Sequence, residues 1–172
     1  MQSNRKIAQA LGDRSGFTLV EVLVAAMILL VALLTLASMF PVGYRQITDA
    51  GRMTVAVSGA RHILEDVGDI PFNNISNING VDTATNAGVI AGLTGTEAAI
   101  ARRWRYMLAG SGNGFTFTGA ETTAWGTVQP FGGRAVVTVD NTSATLRTVT
   151  VTVTVPGLPG NVTLSTVIVR MF

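Results

Sequence analysis

Few side chains in this sequence are of types that carry out chemistry, and their spacing limits what they can do. The single histidine, His62, stands four residues before Asp66 with Glu65 between them, so imidazole and carboxylate fall on one face of a helix. Two thirds of a metal site could be built there, but no second histidine and no cysteine exists to finish it. An ion pair on a solvated face explains the same residues, and no metal or cofactor is expected. Arg102, Arg103 and Arg105 beside Trp104 and Tyr106 combine charge with stacking surfaces, the means by which single strands of nucleic acid are held. A solvated arginine face with aromatic core anchors accounts for them without a ligand, and that reading is favoured; no direct nucleic-acid partner is expected. Gly110-Ser111-Gly112-Asn113-Gly114 lacks the spacing and the strand-to-helix setting of a phosphate loop and reads as a turn. Nucleophile, base and orienting group cannot be assembled from one histidine, no cysteine and hydroxyls in strand or turn contexts, so an enzyme is not expected. What remains is Glu21, an acid in unusual surroundings.

From Phe17 to Phe40 the chain reads FTLVEVLVAAMILLVALLTLASMF, 24 residues in which Glu21 is the only ionisable side chain. As a helix this run is about 36 Å long, enough to cross a hydrocarbon core of about 30 Å. A soluble core helix of that length would show a polar face, and this one does not. The net charge of +2 is concentrated just before it: Arg5, Lys6 and Arg14 lie among the first 16 residues with one acid, Asp13. The rest of the chain balances nine basic against nine acidic side chains. Basic residues before the span and none clustered after it place the N-terminus in the cytoplasm and the C-terminus outside. A cleaved secretory signal has the same polarity, and Thr35-Leu36-Ala37 loosely resembles its cleavage site, but this apolar run is too long and an acid is out of character.

A carboxylate inside a span costs up to about 3 kcal/mol at the bilayer centre, so such a group is normally paired or functional. Glu21 lies near the cytoplasmic end, where a snorkelling acid is the plain alternative. Gly16-Phe17-Thr18-Leu19-Val20-Glu21, after a short basic leader, resembles the processing motif of type IV prepilins and pseudopilins. The resemblance implies cleavage between Gly16 and Phe17 by prepilin peptidase on the cytoplasmic face, then N-methylation of Phe17. It also implies assembly with other pilin or pseudopilin subunits at an inner-membrane platform, with membrane lipid around the helix beforehand. The physical logic agrees. Glycine puts no side chain in the way of a protease at a membrane surface and favours no helix. Cutting there creates an ammonium at Phe17, and Glu21 of one subunit can pair with the Phe17 amine of its neighbour. Each charge then offsets the other's desolvation, and only the correct axial register allows the pair.

Pro41 and Gly43 interrupt the apolar run and could kink or open the helix. Beyond them Ile47, Ala50, Met53, Val57, Ala60, Leu64 and Val67 recur at helical steps, with Arg45 and Asp49, then Arg61 and Glu65, at i,i+4 on the opposite face. Gly68-Asp69-Ile70-Pro71 should stop the helix. The expected division is a leader over 1–16, a helix over 17–69 (17–40 spanning, 41–69 amphipathic) and a β-rich domain over 70–172.

Residues 72–96 read as a long irregular connection, and Thr94-x-x-Glu97 as a capping box opening a helix, although 97–108 also alternates well enough for a strand. After Phe115 the pattern is β: Phe115 and Phe117 alternate with threonines, then Ala135, Val137 and Val139, then Val149, Val151, Val153 and Val155. Asn141-Thr142-Ser143-Ala144 and Pro156 to Gly160 lie between runs as turns, which predicts an antiparallel sheet covered by the amphipathic half-helix. This α+β layout is similar to the pilin architecture, and the closing Val/Thr strands resemble minor pilins of the V type, the pilus modification proteins. The resemblance implies a structural minor pilin of the bacterial inner membrane and then of a filament. A minor pseudopilin of a type II secretion system and a membrane-tethered binding module outside any filament are the alternatives.

Overall fold

The structure is a computed structural model that describes residues 16–85, 89–111, 115–128 and 130–170. By its internal contacts the chain forms two compact units, Met1–Gln46 and Ile47–Phe172, and the boundary falls inside the first helix, α1 (Leu19–Gly68). The expected leader, apart from Gly16, lies outside the described residues.

In the first unit, α1 is apolar on every side from Val22 to Phe40, apart from the hydroxyls of Thr35 and Ser38. Its most apolar window has a mean hydropathy of 2.8, and none of that window is buried. Length and composition suffice to cross a membrane. Two hydroxyls in the run are spent on the helix itself: Thr35 Oγ1 donates to the Val31 carbonyl at 2.8 Å and Ser38 Oγ to the Thr35 carbonyl at 2.7 Å. Neither hydroxyl then needs water, which suits a helix in an apolar medium. The helix continues through Pro41.

In the second unit, the later part of α1 buries Ala56, Ala60, Ile63 and Val67. The buried stripe is thus displaced from the expected one: Ala60 and Val67 belong to it, Val57 and Leu64 flank it half-buried, and Ile47 and Met53 are exposed. Neighbouring stripes on a helix differ by one residue, and the small side chains of Ala56 and Ala60 are fully buried in the core. The polar face also pairs differently, Asp49 with Arg52 at 3.8 Å, while Arg52 donates to the Gly157 carbonyl at 3.0 Å.

The sheet has the order β1 (Arg134–Asp140), β2 (Leu146–Thr154), β3 (Val162–Val169), antiparallel throughout. Val137 faces Val151 and Val151 faces Leu164, so alternate valines of β1 and β2, with Val162, Leu164 and Ile168 of β3, join one core with the α1 stripe. The other face carries the hydroxyls, which bond across strands, Thr150 to Ser165 at 2.9 Å and Thr152 to Thr163 at 3.2 Å. α1 ends at Gly68, as the Gly-x-x-Pro signal predicts.

Two expectations are corrected. Residues 72–96 hold a 3-10 turn (Ile75–Ile78) and a short helix, α2 (Val89–Gly92), and bury Ile75, Ile78, Val81 and Ile90. Segment 79–83 also closes the β1 edge: Gly80 and Thr83 N–H donate to the Val137 and Ala135 carbonyls, and Val137 N–H donates to the Val81 carbonyl, each at 2.9 Å. Phe115 and Phe117 do not open a strand. The Phe117 ring packs with Tyr106 and Trp125, the Phe115 ring packs with Phe117, and Thr118-x-x-Glu121 forms a full capping box that starts α4 (Gly119–Trp125). The undecided segment 97–108 is helix, α3 (Gly95–Leu108).

Candidate processing and assembly site

The start of α1 is where sequence chemistry and geometry meet. Gly16, Phe17 and Thr18 precede the helix in irregular backbone, and the Phe17 side chain is 83% exposed. Thr18 is the cap: its Oγ1 accepts the Glu21 N–H at 3.2 Å, and its carbonyl accepts the Val22 N–H at 3.1 Å. The Gly16–Phe17 peptide therefore lies outside the helical ladder, in backbone a protease can bind extended. A Cβ built on Gly16 would meet nothing within 4 Å, so the chain's own packing does not demand glycine there.

Thr18-x-x-Glu21 has the sequence of a capping box, a signal that the reading of Glu21 as a spanning acid passed over. Only half of the box forms. The Thr18 hydroxyl serves the Glu21 backbone, while the exposed Glu21 carboxylate makes no hydrogen bond or ion pair among the described residues. An acid in the first turn is favoured by the helix dipole, and among the described residues its charge has no partner.

A family model described as a prokaryotic N-terminal methylation motif matches residues 12–37. The chain carries this methylation motif. The match supports the type IV prepilin and pseudopilin family, whose members are processed by prepilin peptidase and assembled with other pilins. It points to a structural subunit rather than an enzyme, and with the apolar helix it fits a protein anchored in the inner membrane. No curated protein and no solved structure matches the chain.

The other candidates in this pilin-like chain resolve into packing. His62 Nε2 lies 3.8 Å from Asp66 Oδ2, and the same oxygen accepts the Trp104 indole N–H at 2.8 Å. Asp66 therefore anchors a fully buried indole, and no cluster of three His, Cys, Asp or Glu able to hold a metal occurs among the described residues. The arginine group is not the solvated face expected. Arg105 is 1% exposed, donates to the Thr83 carbonyl at 2.7 Å and lies over the Phe115 ring at 4.5 Å. Burial pushes its guanidinium pKa down. Arg102 grips Glu121 with two nitrogens, Nη2 to Oε2 at 2.8 Å, and reaches the Thr116 carbonyl. That arginine fork holds the Glu121 carboxyl down at about 2, helped by the Thr118 N–H and hydroxyl and against the opposing effect of burial. Arg103 alone of the three is exposed. These side chains fasten α3 to α4 and to the aromatic cluster.

Proposed function

We propose that the chain is a minor pilin, a structural subunit cleaved between Gly16 and Phe17, methylated on the new Phe17 amine and inserted into a type IV filament. The observation that carries this reading is the uncommitted Glu21 carboxylate, placed in a helical stretch, 19–40, whose other side chains are exposed and apolar apart from the self-bonded hydroxyls of Thr35 and Ser38. Apolar half-helices lacking a polar face associate by burying themselves against one another, and a charge among them favours the one stagger that pairs it. Glu21 and the Phe17 ammonium of a neighbour are the two halves of that pair. In this reading 1–16 is the leader, 17–40 the span and later the filament packing surface, and 70–172 the domain presented outside the cytoplasm. The basic residues Arg5, Lys6 and Arg14 support an N-terminus on the cytoplasmic side. The two closing strands, β2 and β3, with their Val and Thr residues, support the V-type minor pilins as the kind of subunit.

Quantitative mass spectrometry of sheared, purified filaments tests the assignment. A minor pilin appears there at a small fraction of the major subunit, without its leader. Recovery solely from the membrane, with the leader attached, would mean a tethered module and overturn the reading.

A further inference from the structure

A second centre, away from α1's start, lies where the 3-10 turn meets α3. Glu97, in the first turn of α3, is 6% exposed, and its Oε1 is buried with no hydrogen-bond partner among the described residues. A buried carboxylate oxygen bonded to nothing is costly, and such groups normally hold a cation or a donor. The expected capping box with Thr94 would have spent Thr94 on the helix, but its side chain makes no capping bond. Asn74, the cap residue of the 3-10 turn, makes none either. Asn74, Asn77, Thr94 and Glu97 all line one open depression of about 500 Å³. Asn74 and Asn77 are three residues apart, and the three-residue period of a 3-10 turn sets them on one side of it.

We propose that this depression binds a hard divalent cation, calcium fitting best, through the Glu97 carboxylate and the side-chain oxygens of Asn74, Asn77 and Thr94. Every polar donor named is oxygen, which disfavours metals that seek nitrogen or sulfur. Calcium accepts neutral carbonyl and hydroxyl oxygens in irregular sets completed by water, whereas magnesium demands a tight octahedron and gives up water reluctantly. The expectation of no metal rested on clusters of acids, histidines and cysteines; this site uses one carboxylate and neutral oxygens. With a single formal charge its dissociation constant belongs near 10⁻⁴ to 10⁻³ M, roughly the range of extracellular modules. A bound ion would tie the 3-10 turn to α3 across the intervening segment. The proposal stands independently of the filament reading.

The test is thermal unfolding of the full chain in detergent micelles with calcium, magnesium, sodium or methylguanidinium chloride at equal ionic strength. Calcium at about 10 mM should raise Tm by roughly 2–6 °C above the sodium control, with magnesium giving less than half of that. Glu97→Gln keeps the shape and removes the buried charge; it should lose the calcium shift entirely. Asn77→Ala, at an exposed position that leaves folding intact, should weaken the calcium response at least about threefold. No calcium shift beyond sodium, or an unchanged shift in both variants, would overturn the proposal. A shift with methylguanidinium and not with calcium would overturn it too, replacing the ion by a basic side chain of another protein.

Discussion

Thr18 Oγ1 accepts the Glu21 backbone N–H at 3.2 Å while the Glu21 carboxylate bonds to nothing in the described chain. The helix start is thus secured by a hydroxyl, and the acid's charge is free of that duty. Removing the carboxylate leaves the local helix capped, so under the proposed filament role its consequences are expected in association between subunits.

Glu21→Ala is therefore expected to be cleaved and methylated like the parent while entering filaments at least about tenfold less well, because one unpaired ammonium is left among apolar helices. Immunoblots of leader removal beside filament fractions check both halves. Undiminished incorporation would contradict the pairing.

Gly16→Ala should accumulate as uncleaved precursor. A Cβ there touches nothing within 4 Å, so the substitution does not disturb the chain's own fold. Loss of cleavage then reports the fit of the scissile segment to the peptidase, read as intact mass.

Asp66→Ala should lower stability by about 1–3 kcal/mol, since the fully buried Trp104 indole loses its acceptor. Asp66→Asn retains an acceptor oxygen and should cost less. His62→Ala, at the far end of a 3.8 Å contact, should stay within about 0.5 kcal/mol of the parent. Denaturant titration separates the three.

Acid should weaken the α3–α4 junction. The Glu121 pKa falls from an ordinary 4.5 to about 2 on folding, so its contribution is complete above the unfolded value and disappears as pH drops through the folded one. Asp82 behaves alike: burial raises its pKa, but the Arg134 hydrogen bonds, the Ala84 N–H and the nearby guanidinium charges outweigh that. Tm should decline from about pH 4.5 toward pH 2, and Arg102→Met should flatten part of the decline while leaving the Asp82 share.

The sheet is legible because Val/Thr alternation on Leu146–Thr154 has a single period and a single buried face, and apolar/hydroxyl alternation opens Val162–Val169 in the same way. The end of α1 was legible from Gly68 and Pro71. Phe115 and Phe117 were misread because alternation over three residues is a weak signal; the buried Arg105 and the forked Arg102 draw those rings inward instead. Thr118-x-x-Glu121 carried the α4 start in plain view. The order in 72–96 came from tertiary pairing of Gly80 and Thr83 with β1, which no local pattern encodes. At the candidate processing site, Gly16, Phe17 and Glu21 were readable as residue types, whereas the half-formed Thr18 cap required coordinates.

Intact mass and N-terminal sequencing of the protein recovered from its host's cell envelope tests the central claim most directly. The account predicts a chain beginning at N-methylated Phe17. A chain beginning at Met1, or near Ser38 as an ordinary secreted domain would, contradicts it.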